Sequence, residues 1–226
     1  MNLLILGRGK TGSLVAEVAR ERHHEVAVLC SADNFNACAL TPTRLADIDL
    51  VIDFTTPKAV IQNIEACTTA GKNMVVGTTG WYHDLVRIRQ LVETTGTGLL
   101  YGANFSIGIN IFFDIARIAS AAFRHGYFGQ IFERHHVHKK DAPSGTALAL
   151  QRLIQDAAGH ELEITSFREG DVVGMHELIF DSPADRIYLC HDAKSRRGFA
   201  EGAVRAAEWL LGKKGLFDFK DIAQKL

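Results

Sequence analysis

The sequence lacks the features that mark membrane proteins, extracellular scaffolds and nucleic-acid-binding proteins. Its 226 residues include only four cysteines, none in a CxxC pair, which argues against a zinc ribbon and a disulfide framework. No run of about 18 apolar residues predicts a membrane span. The first residues lack the basic segment of a signal peptide, and the net charge of -1 indicates no polyanion-binding surface. We therefore expect a protein of the reducing cytoplasm that binds neither membranes nor nucleic acids.

The first half of the chain alternates short apolar runs with helical patterns, which is typical of βαβ units on a parallel sheet. In the first helical segment Val15 and Val18 share a face, and Thr56 before Pro57 is a helix-start signal. Buried strands are predicted over five segments: Leu3–Leu6, Glu25–Leu29, Leu50–Phe54, Asn73–Gly77 and Leu99–Tyr101. This half is predicted to be a doubly wound α/β domain.

The pattern changes at about Asn104, where a long apolar helix precedes several strand-like runs. One further helix is predicted after Ser144, and a last one over Phe199–Leu211. The predicted strands cover Phe128–His138, Leu162–Phe167, Val172–Phe180 and Arg186–His191. We expect a second α+β domain on a mainly antiparallel sheet, and sequence alone leaves open which domain receives the last helix.

A glycine-rich loop joins the first predicted strand to the first predicted helix. Gly7, Gly9 and Gly12 form G-x-G-x-x-G, in the strand–loop–helix context that binds a dinucleotide pyrophosphate. Backbone N–H groups around Lys10 and Thr11 would then hold the phosphates at the helix N-terminus. The alternative is a glycine-rich turn without a nucleotide.

The acidic residue that grips a ribose 2′-hydroxyl is expected about 20 residues beyond such a loop. Cys30 and Ser31 stand there instead, and Asp33 comes three residues late. A strict preference for NAD is therefore not predicted. Arg8 or Lys10 could contact a 2′-phosphate, although either could equally be a solvated loop charge.

Small residues follow the fourth predicted strand, in the order Gly77-Thr78-Thr79-Gly80. Open α/β sheets bind ligands at the carboxyl ends of their strands, and small residues let a nicotinamide ring lie against the backbone. An ordinary strand-to-helix turn is an equally good interpretation of this segment alone.

Segment 133–146 carries the most chemical information because it contains three histidines in four positions. If it is an extended strand, His135 and Lys139 share one face and His136 and His138 the other. An imidazole and an ammonium on one face suit a proton transfer coupled to hydride addition at a C=N bond. Because alternation splits the histidines and no cysteine or carboxylate stands at ligand spacing, no metal site is predicted.

The turn before the helix of the second domain reads Pro143-Ser144-Gly145-Thr146. Exposed N–H groups at this helix N-terminus, together with the two hydroxyl groups, suit a carboxylate ligand. An ordinary serine N-cap is the simpler interpretation of the turn by itself.

These motifs together resemble dihydrodipicolinate reductase, and the similarity runs nearly from end to end. The segment His135–Thr146 is the most specific part of it. The other matching segments are the glycine loop, Val51–Thr55, Gly77–Gly80, Ala103–Ser106, Gly170–Gly174 and Ser195–Ala203.

The resemblance implies a Rossmann-like domain over residues 1–105 and 198–226, and a substrate-binding domain over 106–197 whose sheet forms a homotetramer. Hydride would pass from NADH or NADPH to a small cyclic dicarboxylate imine. By position His135 matches the family's acid/base and Lys139 its proton donor. The remaining matches are the cofactor positions Gly77, Thr78, Thr79, Asn104 and Phe105, and the substrate-carboxylate positions His136, Lys139, Ser144, Gly145 and Thr146.

Two other hypotheses fit the same fold. One is a different imine or carbonyl reductase, which would not need the carboxylate site at Ser144–Thr146. The other is a non-catalytic NAD(P)-binding regulator, which would have no use for His135 and Lys139 as proton-transfer groups.

Overall fold

The computed structural model describes residues 1–226. The chain divides into two compact units, one made of Met1–Ile107 with Arg197–Leu226 and the other of Gly108–Arg196. None of the helices has the length and apolarity needed to cross a bilayer.

The first unit is built on a six-stranded parallel sheet. Its strands are β1 (Asn2–Leu6), β2 (Glu25–Leu29), β3 (Leu50–Asp53), β4 (Asn73–Val76), β5 (Gly98–Tyr101) and β10 (Gly215–Asp218). They lie in the order β10-β5-β4-β3-β1-β2. The order reverses beside β1, which is where a doubly wound sheet binds its ligand.

Helices cover both faces of this sheet. They are α1 (Lys10–Glu21), α2 (Pro42–Leu45), α3 (Pro57–Thr69), α4 (Leu85–Thr95), α7 (Arg197–Leu210) and α8 (Phe219–Ile222). Leu3 and Ile5 point into the core on the α1 and α7 side, and Leu4 and Leu6 into the core on the α3 side. A strand that is buried on both faces has a continuous run of apolar residues, and β1 has such a run. Each such side chain contributes about 1.5–3 kcal/mol to stability.

The last predicted helix belongs to the first unit, where α7 packs beside α1. Arg22, which directly follows α1, and Glu208 on α7 form an ion pair of 2.7 Å. β10 was not predicted from the sequence. The predicted helix start at Thr56 is present as α3, with Pro57 in its first turn, but the Thr56 side chain makes no capping hydrogen bond.

The second unit has a four-stranded mixed sheet. Its strands are β6 (Phe128–His135), β7 (Ile164–Arg168), β8 (Met175–Asp181) and β9 (Arg186–Asp192). They lie in the order β7-β6-β8-β9, with β7 parallel to β6 and the other neighbours antiparallel. Helices α5 (Ile107–Ala119) and α6 (Gly145–Ala158) supply the rest of its core.

Candidate active site

The glycine loop of the first unit takes the conformation that its sequence predicts. Gly7 has φ +102°, and a Cβ there would lie 2.3 Å from the carbonyl oxygen of Phe54. A Cβ on Gly12 would lie 2.2 Å from the carbonyl oxygen of Gly7. Gly9 has no protein atom near its Cβ position and forms the N-cap of α1 without a side-chain hydrogen bond. The loop therefore needs glycine for its own packing at Gly7 and Gly12, and leaves room for a ligand at Gly9.

A cavity of about 300 Å³ lies at the N-terminus of α1. It joins the glycine loop to the segments that follow β3 and β4. Its lining residues are Gly9, Lys10, Thr11, Gly12, Phe54, Thr55, Pro57, Gly77, Thr78 and Thr79. Two separately predicted cofactor segments thus face one space, and the positive end of the α1 dipole favours an anion there.

A neighbouring cavity of about 230 Å³ lies beyond the end of β2. Its lining includes Cys30, Ser31 and Lys58, but no acidic residue. The carboxylate of Asp33 instead accepts a hydrogen bond from the Cys30 thiol at 2.8 Å. The lining of this cavity therefore contains no carboxylate, and the lack of a strict preference for NAD stays a prediction.

Asp53, at the end of β3, ties these loops together. Its buried carboxylate accepts hydrogen bonds from the Thr55 amide and hydroxyl, the Thr78 hydroxyl at 2.7 Å and the Asn63 amide at 2.8 Å. Burial raises the pKa of Asp53, and these hydrogen bonds oppose that rise. The sequence analysis did not single out Asp53 as a site residue, although it stands at the carboxyl end of a predicted strand.

Asn104 and Phe105 do not line the cavity at the N-terminus of α1. Phe105 is buried in the core, with its ring 4.5 Å from Phe219 and 6.0 Å from Phe54 between centroids. The side chain of Asn104 accepts a hydrogen bond from the Ser106 amide. The Phe105 ring therefore packs the core of the first unit, and its predicted contact with a cofactor stays a prediction.

In the second unit β6 ends at His135, three residues earlier than predicted. The Lys139 amide donates to the carbonyl of His136, and the Val137 amide to the carbonyl of Gly170. These hydrogen bonds turn the chain away from the sheet. The prediction that side chains alternate between two faces as far as Lys139 is therefore wrong beyond His135. Strand alternation thus gives no reason to place His136 on the opposite side from His135.

The imidazole of His135 is held from two sides. Its Nδ1 lies 2.6 Å from a carboxylate oxygen of Glu133, which is completely buried. A Cβ added to Gly174 would lie 3.0 Å from its Nε2. Burial lowers the pKa of His135, the carboxylate of Glu133 raises it, and the cations of Lys139 and Arg168 lower it further, so that the net shift is downward. His135 is therefore predominantly neutral near pH 7.

Lys139 reaches the same neighbourhood from the turn, since its charge acts on His135. Its ammonium donates to both carboxylate oxygens of Asp141 at 2.8 Å. That hydrogen bond lowers the pKa of Asp141. This ion pair fixes the position of the Lys139 ammonium. The Nε2 atom of His136 lies 3.5 Å from the guanidinium of Arg196.

The tip of α6 carries Ser144, Gly145 and Thr146. Ser144 is the N-cap, because its hydroxyl accepts a hydrogen bond from the Ala147 amide at 3.1 Å, as the simpler sequence interpretation predicted. The first N–H groups of a helix have no partner within it. The amides of Gly145 and Thr146 therefore point to where an anionic ligand would meet the positive end of the helix dipole.

Glu133, His135 and His176 form a buried cluster whose nitrogen and oxygen atoms lie within 4.8 Å of one another. The sequence analysis overlooked Glu133 and His176 as members of such a group. A contact of 2.6 Å between carboxylate and imidazole has the length of a hydrogen bond, and Arg168 lies 2.9 Å from the other carboxylate oxygen. Each carboxylate oxygen of Glu133 therefore faces a nitrogen of a basic side chain, and the absence of a metal site stays a prediction.

The fold and these two groups of side chains define the class of protein as an NAD(P)H-dependent oxidoreductase. Family models described as the N-terminus and the C-terminus of dihydrodipicolinate reductase match residues 1–105 and 108–223. The chain belongs to the dihydrodipicolinate reductase family. The resemblance inferred from the motifs is thereby confirmed.

Relatives and solved structures agree with this family. The chain is 35% identical to the 4-hydroxy-tetrahydrodipicolinate reductase of Christiangramia forsetii, over 100% of this chain and 99% of that protein. It is 36% identical to the enzyme of the same name from Neisseria meningitidis serogroup A, over 80% of this chain and 74% of that one. The dipicolinate-bound dihydrodipicolinate reductase of Paenisporosarcina sp. TG-14 has the same fold, with a TM-score of 0.80, 24% identity and coverage of 98% and 99% of the two chains.

Proposed function

We propose that the protein reduces 4-hydroxy-tetrahydrodipicolinate to tetrahydrodipicolinate with NADH or NADPH, on the route to diaminopimelate and lysine. The observation that carries the proposal is the group of His135, Lys139 and the α6 tip within one compact unit. It combines two proton-transfer side chains with a site for a carboxylate, which a dicarboxylate imine requires.

The first unit is assigned to the dinucleotide. Gly9, Lys10, Thr11 and Gly12 would hold its phosphates through backbone N–H groups at the N-terminus of α1. The segment Gly77–Thr79 would line the nicotinamide end of the same cavity. The bound nicotinamide supplies the hydride that the reaction needs.

The second unit is assigned to the substrate and to proton transfer. The amides of Gly145 and Thr146, with the hydroxyl of Ser144, would bind one carboxylate. His136 and Lys139 would add further contacts to the substrate. The 4-hydroxyl group leaves as water, and addition of a hydride to the ring requires one proton as well. Lys139, whose ammonium carries a transferable proton, would be the proton donor, and His135 would act as the acid/base through Nε2.

Substitution of the two proton-transfer residues tests the assignment. His135→Gln and Lys139→Met should each lower kcat by roughly 10²-fold or more and leave the dissociation constant of the cofactor nearly unchanged. His138→Gln and Lys140→Met are matched controls because both side chains are exposed. Rates like those of the unmodified protein in both test variants would refute the roles of His135 and Lys139.

A planar dianion tests the carboxylate site separately. Pyridine-2,6-dicarboxylate presents two carboxylates on a flat ring and should compete with substrate but not with cofactor. Inhibition that substrate does not relieve would contradict the assignment of Ser144–Thr146.

We also propose that the enzyme is a cytoplasmic homotetramer assembled through the sheet of the second unit. Large apolar side chains are exposed on its strands, among them Phe128, Phe167 and Tyr188. Exposed apolar side chains on one sheet favour association with another protein surface when they form a patch. Light scattering of the purified protein should give about four times the chain mass of 24.8 kDa, and a monomeric mass would refute this assembly.

A further inference from the structure

The acid/base histidine has a buried carboxylate partner to which the proposed chemistry assigns no role. Glu133 precedes His135 by two residues on β6, so that both side chains lie on the same face of the strand. Glu133 is completely buried, whereas carboxylates are rarely buried unless they are paired. A buried charge at this position needs an explanation beyond packing.

Glu133 contacts charged or polar groups from every element around it. One oxygen lies 2.6 Å from Nδ1 of His135, and the other lies 2.9 Å from the guanidinium of Arg168 on β7. Burial raises the pKa of this carboxylate, whereas the hydroxyl groups of Ser144 and Ser166 act on it and lower its pKa. The contact with Arg168 is an ion pair, and the contact with His135 places the carboxylate beside Nδ1 of the imidazole.

The contacts of Arg168 extend this arrangement to the second proton-transfer residue. The guanidinium of Arg168 also donates to the backbone carbonyl of Asp141 at 2.6 Å. The side chain of Asp141 in turn accepts both hydrogen bonds of Lys139. A continuous series of contacts therefore runs from His135 through Glu133, Arg168 and Asp141 to Lys139.

We propose that Glu133 is a positioning residue, which directs Nδ1 of His135 toward the sheet, leaves Nε2 for proton transfer, and joins His135 to Lys139 and to the α6 tip. The inference rests on the proposed function for its catalytic consequence, but the pairing of the two side chains does not. Because Glu133 contacts His135 through Nδ1, the carboxylate acts on the reaction through the imidazole and does not touch the substrate itself.

Electrostatics give the sign of the expected effect. The groups that face His135 are Glu133 on β6, Arg168 on β7, His176 on β8 and Lys139 in the turn. Of these only Glu133 favours the protonated imidazole, since the other three are basic groups. Removing its charge should therefore lower the pKa of His135 below its value in the unmodified protein.

Glu133→Gln keeps the shape of the side chain and removes its charge. In this variant the imidazole of His135, followed by ¹⁵N NMR of the substrate-free protein, should titrate at lower pH and lose its preference for the Nδ1-protonated tautomer. Steady-state kinetics should show kcat reduced roughly 10-fold or more, the KM for cofactor nearly unchanged, and the limb of the pH profile that reports His135 shifted in the same direction.

Two further variants complete the design. Glu133→Asp retains the charge at a greater distance and should recover part of both the titration and kcat. Glu177→Gln changes another buried glutamate of the same sheet and should leave the His135 titration unchanged. If Glu133→Gln does not fold, the Glu133→Asp variant alone should still show a smaller downward shift.

An unshifted titration and tautomer of His135 in folded Glu133→Gln, or in Glu133→Asp when only that variant folds, would overturn the inference. Because NMR needs neither substrate nor turnover, this result is distinct from a failure of the proposed reaction. A shifted titration in a protein without reductase activity would instead support the pairing and refute the proposed function.

Discussion

Replacement of Gly174 by alanine should lower turnover by about 3- to 10-fold through a displacement of His135. The added Cβ would lie 3.0 Å from Nε2 and 3.3 Å from Cδ2 of the imidazole, closer than ordinary van der Waals contact. The ring must therefore move by a few tenths of an ångström. A misplacement of about 1 Å can lower the rate about 10²-fold, so a shift of a few tenths of an ångström should lower it about 3- to 10-fold.

The assay follows nicotinamide absorbance with saturating cofactor and compares kcat, KM for substrate and thermal stability. Gly174 does not have a positive φ, so alanine introduces no backbone strain there. Gly198→Ala is the matched control, because its added Cβ meets no atom within 4 Å. A kcat equal to that of the unmodified protein in folded Gly174→Ala would refute the reasoning that the position of Nε2 limits the reaction.

Two further predictions concern the cofactor loop and pH. Gly9→Ala should weaken cofactor binding several-fold at unchanged Tm, because its methyl group faces only the cavity. Gly12→Ala should lower both affinity and Tm, because its methyl group meets the Gly7 carbonyl. Equal cofactor affinities of the unmodified protein and Gly9→Ala, measured by fluorescence titration, would contradict the phosphate site. Burial lowers the pKa of His176 to about 4. Between pH 6.5 and 4 the unfolded chain therefore binds more protons at this residue than the folded protein does. The free energy of unfolding should fall by about 3 kcal/mol as the pH falls through this window. Urea unfolding of the unmodified protein should show this dependence on pH, and His176→Gln should show a weaker one. Equal dependences on pH would contradict the assignment of this effect to His176.

Most of the parallel sheet could be predicted because its strands are buried on both faces. Leu3–Leu6 is a continuous apolar run, and Leu50–Asp53 is one apart from its last residue. Each is followed by a turn and a helix signal. β10 escaped prediction because Gly215–Asp218 has only two apolar residues and follows α7 after a short turn. Its place beside β5 is set by long-range pairing of Leu216 with Leu99, which no local pattern encodes.

The ends of the strands around the candidate site were harder to predict for the same reason. His136–Lys139 alternates in polarity like a strand, but hydrogen bonds to Gly170 and within the turn end β6 at His135. β8 likewise begins at Met175, after the Val172 amide has turned back to Glu169. A long-range hydrogen bond from Val137 to Gly170 contributes to the first boundary, and a local turn precedes the second.

The candidate site was predictable where function depends on local sequence and obscure where it depends on contacts between strands. The glycine loop and the tip of α6 were visible as a strand–loop–helix and a serine cap. Glu133 could have been found from its two-residue spacing to His135, since the two share a face of β6. His176 and Arg168 come from other strands, and only the pairing of β6 with β8 and β7 brings them to His135.

The most direct test of the central claim is a coupled assay in which a synthase generates 4-hydroxy-tetrahydrodipicolinate in the cuvette. Loss of nicotinamide absorbance is followed with NADH and with NADPH in turn. The account predicts substrate-dependent oxidation of at least one cofactor, abolished when the synthase is omitted and strongly reduced in His135→Gln. Absence of oxidation with both cofactors, in protein that binds them, would contradict it.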